Sequence, residues 1–205
     1  MPKLKKFTIG NFIRLVRKKK RQLSEEAFDA WNAKLWSELD KGTSPYFSAK
    51  GDYQMIELYA NEKMDFFDRK DDPFQNYLIT NFGRVYSLKS RKFLKLQPNN
   101  CGYLRVDVRY FNKDKSDKFR KQVFVHIEVV KVFGDCCGRN FNQANKEIDI
   151  LNIDHINKNK SDVRQCNLQI VSFQENMRRR FLSDEERRKF IETRYAQEIN
   201  VEDIF

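Results

Sequence analysis

From Tyr77 onward the apolar residues come in short runs, each closed by a turn rich in Asn or Gly, which restricts this part of the chain to short strands in small sheets. Tyr77-Leu78-Ile79-Thr80 gives way to the turn Asn81-Phe82-Gly83-Arg84 and then to Val85-Tyr86-Ser87-Leu88. Asn99-Asn100-Cys101-Gly102 marks another turn before the alternating segment from Tyr103 to Arg109. There Arg105, Asp107 and Arg109 share one face and Leu104, Val106 and Val108 the other, as in a half-buried antiparallel strand with a basic surface. Val123 to Phe133 fits either a strand or a helix, since Val123 and Val125 alternate while Ile127, Val130 and Phe133 suit helical spacing. A strand is expected over Ile148 to Asp154, a polar loop through Asn157, Asn159 and Asp162, and a second strand over Asn167 to Val171. Ser172-Phe173-Gln174-Glu175 is a capping box, so a helix should begin at Phe173. A last helix, Asp184 to Tyr195, mixes both signs of charge and reads as a solvated element.

The N-terminal part is of another kind. Nine basic residues and no acids fall between Met1 and Leu23, with Phe12, Leu15, Val16 and Leu23 near helical spacing. Ser24 is a good N-cap, Glu25 and Glu26 suit the positive end of a helix dipole, and Gly42 suits its end, so a second helix is expected over Ser24 to Lys41. Its stripe of Phe28, Trp31, Leu35 and Leu39 is a packing face. Over 205 residues the chain holds 40 Lys and Arg against 29 Asp and Glu, a net charge of +11 that favours a polyanionic partner. Charge alone leaves DNA, RNA and an anionic membrane surface open. The apolar runs are too short to span a bilayer, and nothing reads as a secretory signal. Cys101, Cys136, Cys137 and Cys166 lack zinc-knuckle spacing and read as free thiols of a cytoplasmic protein.

Hydrolysis of a phosphodiester needs an activated water, neutralisation of charge on the phosphorus centre, and in-line positioning. Histidine is a base at neutral pH without tuning, and a hard cation such as magnesium prefers carboxylate, amide and phosphate oxygens. Asp154-His155 at a strand end offers both kinds of group. Asn176 falls in the first part of the following helix, near the strand ends, where its amide oxygen would meet Asp154 at one ion. Ile153-Asp154-His155-Ile156, Asn167-Leu168-Gln169-Ile170-Val171-Ser172 and Gln174-Glu175-Asn176 resemble the HNH nucleases, above all the homing endonucleases of mobile introns, often from phages. Upstream, residues 77–87, 102–106 and 125–133 resemble, in order, the DNA-binding module that precedes the nuclease in such enzymes. The family's Asp-Gly turn after the histidine is replaced here by Ile156-Asn157-Lys158-Asn159-Lys160.

The resemblance implies an α+β protein, a ββα-metal (HNH, His-Me finger) nuclease preceded by a small antiparallel β DNA-binding module and a helical basic N-terminal region. The divisions are a basic helical appendage over 1–42, a linker over 43–72, the β module over 73–119, the nuclease over 120–181 and a C-terminal helix over 182–205. It implies His155 as general base, Asn167 bracing the His155 backbone, and Asp154 and Asn176 holding one Mg2+ or Mn2+. DNA phosphates or bases would be met by Arg84, Lys89, Arg91, Lys92, Lys95, Arg105, Arg109, Lys158, Lys160, Arg178, Arg179 and Arg180. The partner is double-stranded DNA, with no membrane, a monomeric protein in the cytoplasm, and a protein partner as the other use of the N-terminal helices. His126 reads as structural. The competing reading is a catalytically inactive nucleic-acid-binding or structural particle protein built on the same scaffold.

Overall fold

The computed structural model describes residues 5–40, 55–59, 61–67, 76–111, 118–141 and 151–195. They fall into two compact units, Met1–Lys63 and Met64–Phe205. In the first, β1 (Lys5–Thr8) pairs antiparallel with β2 (Met55–Leu58), and α1 (Ile9–Gln22) and α2 (Glu25–Asp40) form a helical hairpin. Ser24 Oγ lies 3.4 Å from the Ala27 N–H at the start of α2. Val16, Phe28 and Leu35 are buried, so helically spaced apolar residues pack as their spacing predicts.

In the second unit β3 (Met64–Phe66), β4 (Tyr77–Thr80), β5 (Val85–Ser87) and β6 (Lys92–Phe93) make one antiparallel sheet. A second sheet joins β7 (Gln97–Pro98), β8 (Leu104–Phe111) and β9 (Lys118–Phe124). The linker expected over 43–72 therefore contains strand residues at 55–58 and 64–66, and its residues 43–54, 60 and 68–72 lie outside the described residues. Alternation predicted β8 correctly. Val106 and Val108 are buried while Arg105 and Asp107 are part-exposed and Arg109 exposed on the other face.

The ambiguous stretch resolves into both alternatives in succession, strand β9 running to Phe124 and helix α3 (Val125–Phe133) following directly. Then come β10 (Leu151–His155), a loop ending in a 3-10 turn at Gln165–Asn167, β11 (Leu168–Ser172), α4 (Phe173–Arg180) and α5 (Asp184–Tyr195). Residues 148–150 of the strand expected from Ile148 lie outside the described residues.

One core runs through Ile79, Val85, Val106, Val108, Val123, Val125, Val129, Val130, Val163, Leu168 and Ile170, so the β sheets, α3 and the β10–β11 hairpin bury their apolar faces together. Each such aliphatic side chain contributes about 1.5–3 kcal/mol relative to an exposed one. The turn after β4 docks on the loop after β10. Gln165 N–H donates to Asn81 O (2.8 Å), and Gly83, at φ +79°, approaches so closely that a Cβ would overlap Val163. No helix among the described residues is long and apolar enough to cross a membrane.

Candidate functional site

β10 and β11 pair antiparallel in a register that sets Asp154 opposite Gln169 and His155 opposite Leu168. Neighbours on a strand face opposite ways, and here the two side chains have separate surroundings. Asp154 faces the helices. Its Oδ2 accepts hydrogen bonds from Arg179 Nη1 of α4 (3.1 Å) and from Arg187 Nη2 of α5. Arg179 also donates to Glu175 Oε1 (2.9 Å) and Gln169 Oε1 (2.7 Å), and Arg187 to the backbone oxygens of Ile156, Arg179 and His155. Both arginines are buried.

This overturns two expectations. Arg179, grouped with Arg178 and Arg180 as a phosphate contact, has no exposed surface, because it falls on the face of α4 that covers β10. The C-terminal helix is likewise not solvated all round, since Arg187 and Ile191 are buried in it. Its mixed charge gave no periodic signal to mark them.

α4 starts where its capping box predicts. Ser172 Oγ accepts the Glu175 N–H at 3.1 Å. Asn176 is half-buried one turn before Arg179, and residues three apart share a helix face, so it lies on the side of α4 that reaches Asp154. No described residue hydrogen-bonds the Asn176 side chain, and both hydrogen bonds to Asp154 fall on Oδ2. Asp154 Oδ1 and the Asn176 amide oxygen are two uncommitted hard donors of the kind a magnesium-like ion takes alongside phosphate and water.

His155 is turned to an aromatic cluster. Its ring centroid is 5.6 Å from that of Tyr103 and 5.1 Å from that of His126, and Tyr103 and Phe124 also pack on His126. His155 Nε2 and His126 Nδ1 are buried and have no hydrogen-bond partner among the described residues. Burial pushes the His155 pKa down to about 4, against the raising influence of Asp154 and Asp162. Burial, with the neighbouring His155, pushes His126 down to about 3. Both rings are neutral at pH 7. Sequence reasoning gave His126 a packing role, yet it stands beside the candidate base. The one signal available was that His126, one of only two histidines in the chain, opens an apolar segment.

Asn167 is fully buried, and its side chain spans the loop after His155, accepting from Asn157 N–H (2.9 Å) and donating to Asp162 O (2.8 Å). Its backbone oxygen takes the Ile156 N–H (2.9 Å), while the His155 carbonyl goes to Lys158 N–H (2.8 Å) and Arg187. The bracing is thus of the loop rather than of His155 itself, because His155 pairs with Leu168 and Asn167 lies just beyond the last pair.

Lys158 and Lys160 are tied to the protein. Lys158 Nζ lies 2.6 Å from Leu182 O and 2.9 Å from Asp184, and Lys160 Nζ lies 3.0 Å from Cys101 O and over the Tyr103 ring at 4.7 Å. Lys89, Arg91, Lys92, Lys95 and Arg109 are exposed, Arg105 bonds Gln122 (2.9 Å), and Arg84 stacks on Phe93 at 4.1 Å. Arg178 stacks on Phe190 at 4.6 Å, and Arg178 and Arg180 are exposed.

A second cluster of metal-ligand types, Asp135, Cys136 and Cys137, has its ligand atoms within 4.8 Å of one another. Its carboxylate is already spent: it accepts the N–H groups of Cys137 (3.0 Å), Arg139 (2.9 Å) and Ile170 (3.0 Å) and the Arg139 guanidinium, which ties residues 135–139 to β11. The hydrogen-bonded Cys137 thiol, and then burial, push the pKa of the Cys136 thiol up. None of the four cysteines forms a disulfide.

Set beside known proteins, residues 63–109 match the NUMOD4 motif, which begins ahead of the boundary read at 73 and ends within β8. No curated protein matches the chain. A solved structure described as "DNA binding and cleavage by the HNH homing endonuclease I-HmuI" aligns at 23% identity and a TM-score of 0.40. The alignment covers 63% of this chain and 66% of that one, just under two thirds of its length.

Proposed function

We propose that this protein is a metal-dependent endonuclease of the HNH, ββα-metal type that hydrolyses phosphodiester bonds in double-stranded DNA, in the manner of homing enzymes. The observation that carries the reading is the hairpin-and-helix arrangement of Asp154, His155 and Asn176: a buried imidazole ends the same strand whose preceding carboxylate faces α4, and among the described residues neither His155 Nε2 nor Asp154 Oδ1 has a hydrogen bond. The NUMOD4 motif, which occurs in homing endonucleases, supports it.

In this mechanism His155 takes the proton of the attacking water. Its depressed pKa keeps the ring unprotonated at neutral pH, and the negative phosphate, once bound, raises the pKa toward the useful range. Asp154 and Asn176 would hold Mg2+ or Mn2+, which supplies charge neutralisation at the scissile phosphate. Arg179 and Arg187 fix the carboxylate so that Oδ1 keeps one direction, and Asn167 sets the loop that follows the base. Exposed Lys89, Arg91, Lys92, Lys95, Arg109, Arg178 and Arg180 supply phosphate contacts. Hydrolysis leaves a 3′-hydroxyl and a 5′-phosphate.

One observation favours the non-catalytic alternative. Two guanidiniums already neutralise Asp154, which weakens its hold on a cation. Supercoiled plasmid separates the readings: the enzyme converts it to nicked or linear forms with magnesium or manganese and not with excess chelator. Retardation of DNA without cutting under any metal would establish the alternative.

A further inference from the structure

His126 is the second residue of α3 and is buried, and the mechanism above gives it no part. A buried polar nitrogen without a partner is destabilising, so a ring kept for packing alone would be better replaced by an apolar one. Two such nitrogens, His126 Nδ1 and His155 Nε2, belong to rings that meet edge to face with centroids 5.1 Å apart. A neutral imidazole carries one N–H and one lone pair, so these two nitrogens can be complementary, a donor on one ring and an acceptor on the other. Among the described residues no group hydrogen-bonds either ring, and Asp154, the neighbour of His155, is turned to Arg179 and Arg187. Tyr103 packs on both imidazoles, at 5.1 and 5.6 Å, and so limits their tilt.

Taking His155 as the base, as proposed above, we infer that His126 is its positioning residue: His126 Nδ1 accepts a hydrogen bond from Nε2–H of His155. The bond selects the tautomer whose lone pair is on His155 Nδ1 and aims that atom at the attacking water. A catalytic base is commonly oriented by a third group in this way, through the nitrogen that does not react. The two nitrogens do not bond each other in this structure, and catalytic hydrogen bonds are often long or poorly aligned before substrate binds.

The test uses full-length protein with 15N-labelled histidine, in which two side chains give the whole imidazole spectrum. In the wild type and in His126→Gln, which keeps an acceptor, His155 is expected as a single tautomer protonated at Nε2. In His126→Phe, which keeps the ring shape, it becomes a mixture. With supercoiled plasmid and magnesium, His126→Phe lowers kcat at least about tenfold with KM unchanged, and His126→Gln recovers part of the loss. A thermal melt confirms that both variants are folded. Wild-type cleavage by His126→Phe, or an unchanged His155 tautomer in it, overturns the positioning role. Because the tautomer is read without cleavage, that failure is distinct from failure of the base assignment, which a His155→Ala protein that still cuts would reveal.

Discussion

The residues that carry the most chemistry here are held by burial more than by exposure. Asp154 Oδ2 is locked between two buried guanidiniums, each of which also bonds backbone or side-chain oxygens. Removing one partner of such a buried pair leaves an uncompensated charge. Arg187→Ala is expected to destabilise the protein by about 3–5 kcal/mol, measured by denaturant unfolding; a change under about 1 kcal/mol would show the network to be dispensable. The two histidines act on stability in a fixed direction. Their folded pKa values, about 4 for His155 and about 3 for His126, lie below the ordinary 6.5, so as pH falls below 6.5 the unfolded chain takes up protons that the native state refuses. Stability is therefore full above 6.5 and declines toward pH 4. Replacing both histidines by Phe should flatten the fall in Tm between pH 7 and pH 5, and an equally steep fall in that variant would refute the assignment. Asp154, His155 and Asn176 were legible as a motif. The partners of Asp154 were not, because Arg179 sat in a run of three arginines and Arg187 in a helix of mixed charge, where nothing local separates a buried guanidinium from a solvated one.

At the level of elements, local signals proved reliable and pairings did not. The capping box at Ser172 fixed the start of α4, period-two alternation fixed β8, and Ser24 with its two glutamates fixed the start of α2. β2 and β3 were missed because each is three or four residues long and takes its stability from a partner strand distant in sequence, Lys5–Thr8 for one and Tyr77–Thr80 for the other. The Val123–Phe133 ambiguity reflected a real junction, since a strand turns into a helix there with no intervening loop. Asn167 is the clearest structural determinant of the site loop. Asn167→Ala leaves the Asn157 N–H and the Asp162 carbonyl without their bonds and should cost about 2–5 kcal/mol in denaturant unfolding. At Gly83 an alanine adds a Cβ that overlaps Val163 at a positive φ, so Gly83→Ala should lower Tm by several degrees and loosen the turn from the loop after His155. An unchanged Tm in either variant would contradict the packing described.

For the whole second unit, the β sheets and the hairpin share one core, so the part matching the NUMOD4 motif and the proposed catalytic hairpin are built as one body rather than as beads on a string. That unit holds 27 Lys and Arg against 21 Asp and Glu, a net +6 of the chain's +11, and Lys89, Lys92 and Lys95 are exposed on it. Neutralising Lys89, Lys92 and Lys95 together, by Lys→Gln, should weaken DNA binding uniformly across sequences and reduce the slope of log affinity against log salt by up to about three. An unchanged slope would remove that edge from the interface. Cleavage of supercoiled plasmid by His155→Ala, run beside DNA binding by the same protein, tests the central claim most directly. The account predicts that binding persists while the magnesium-dependent rate falls at least about a hundredfold; cutting at the wild-type rate would contradict it.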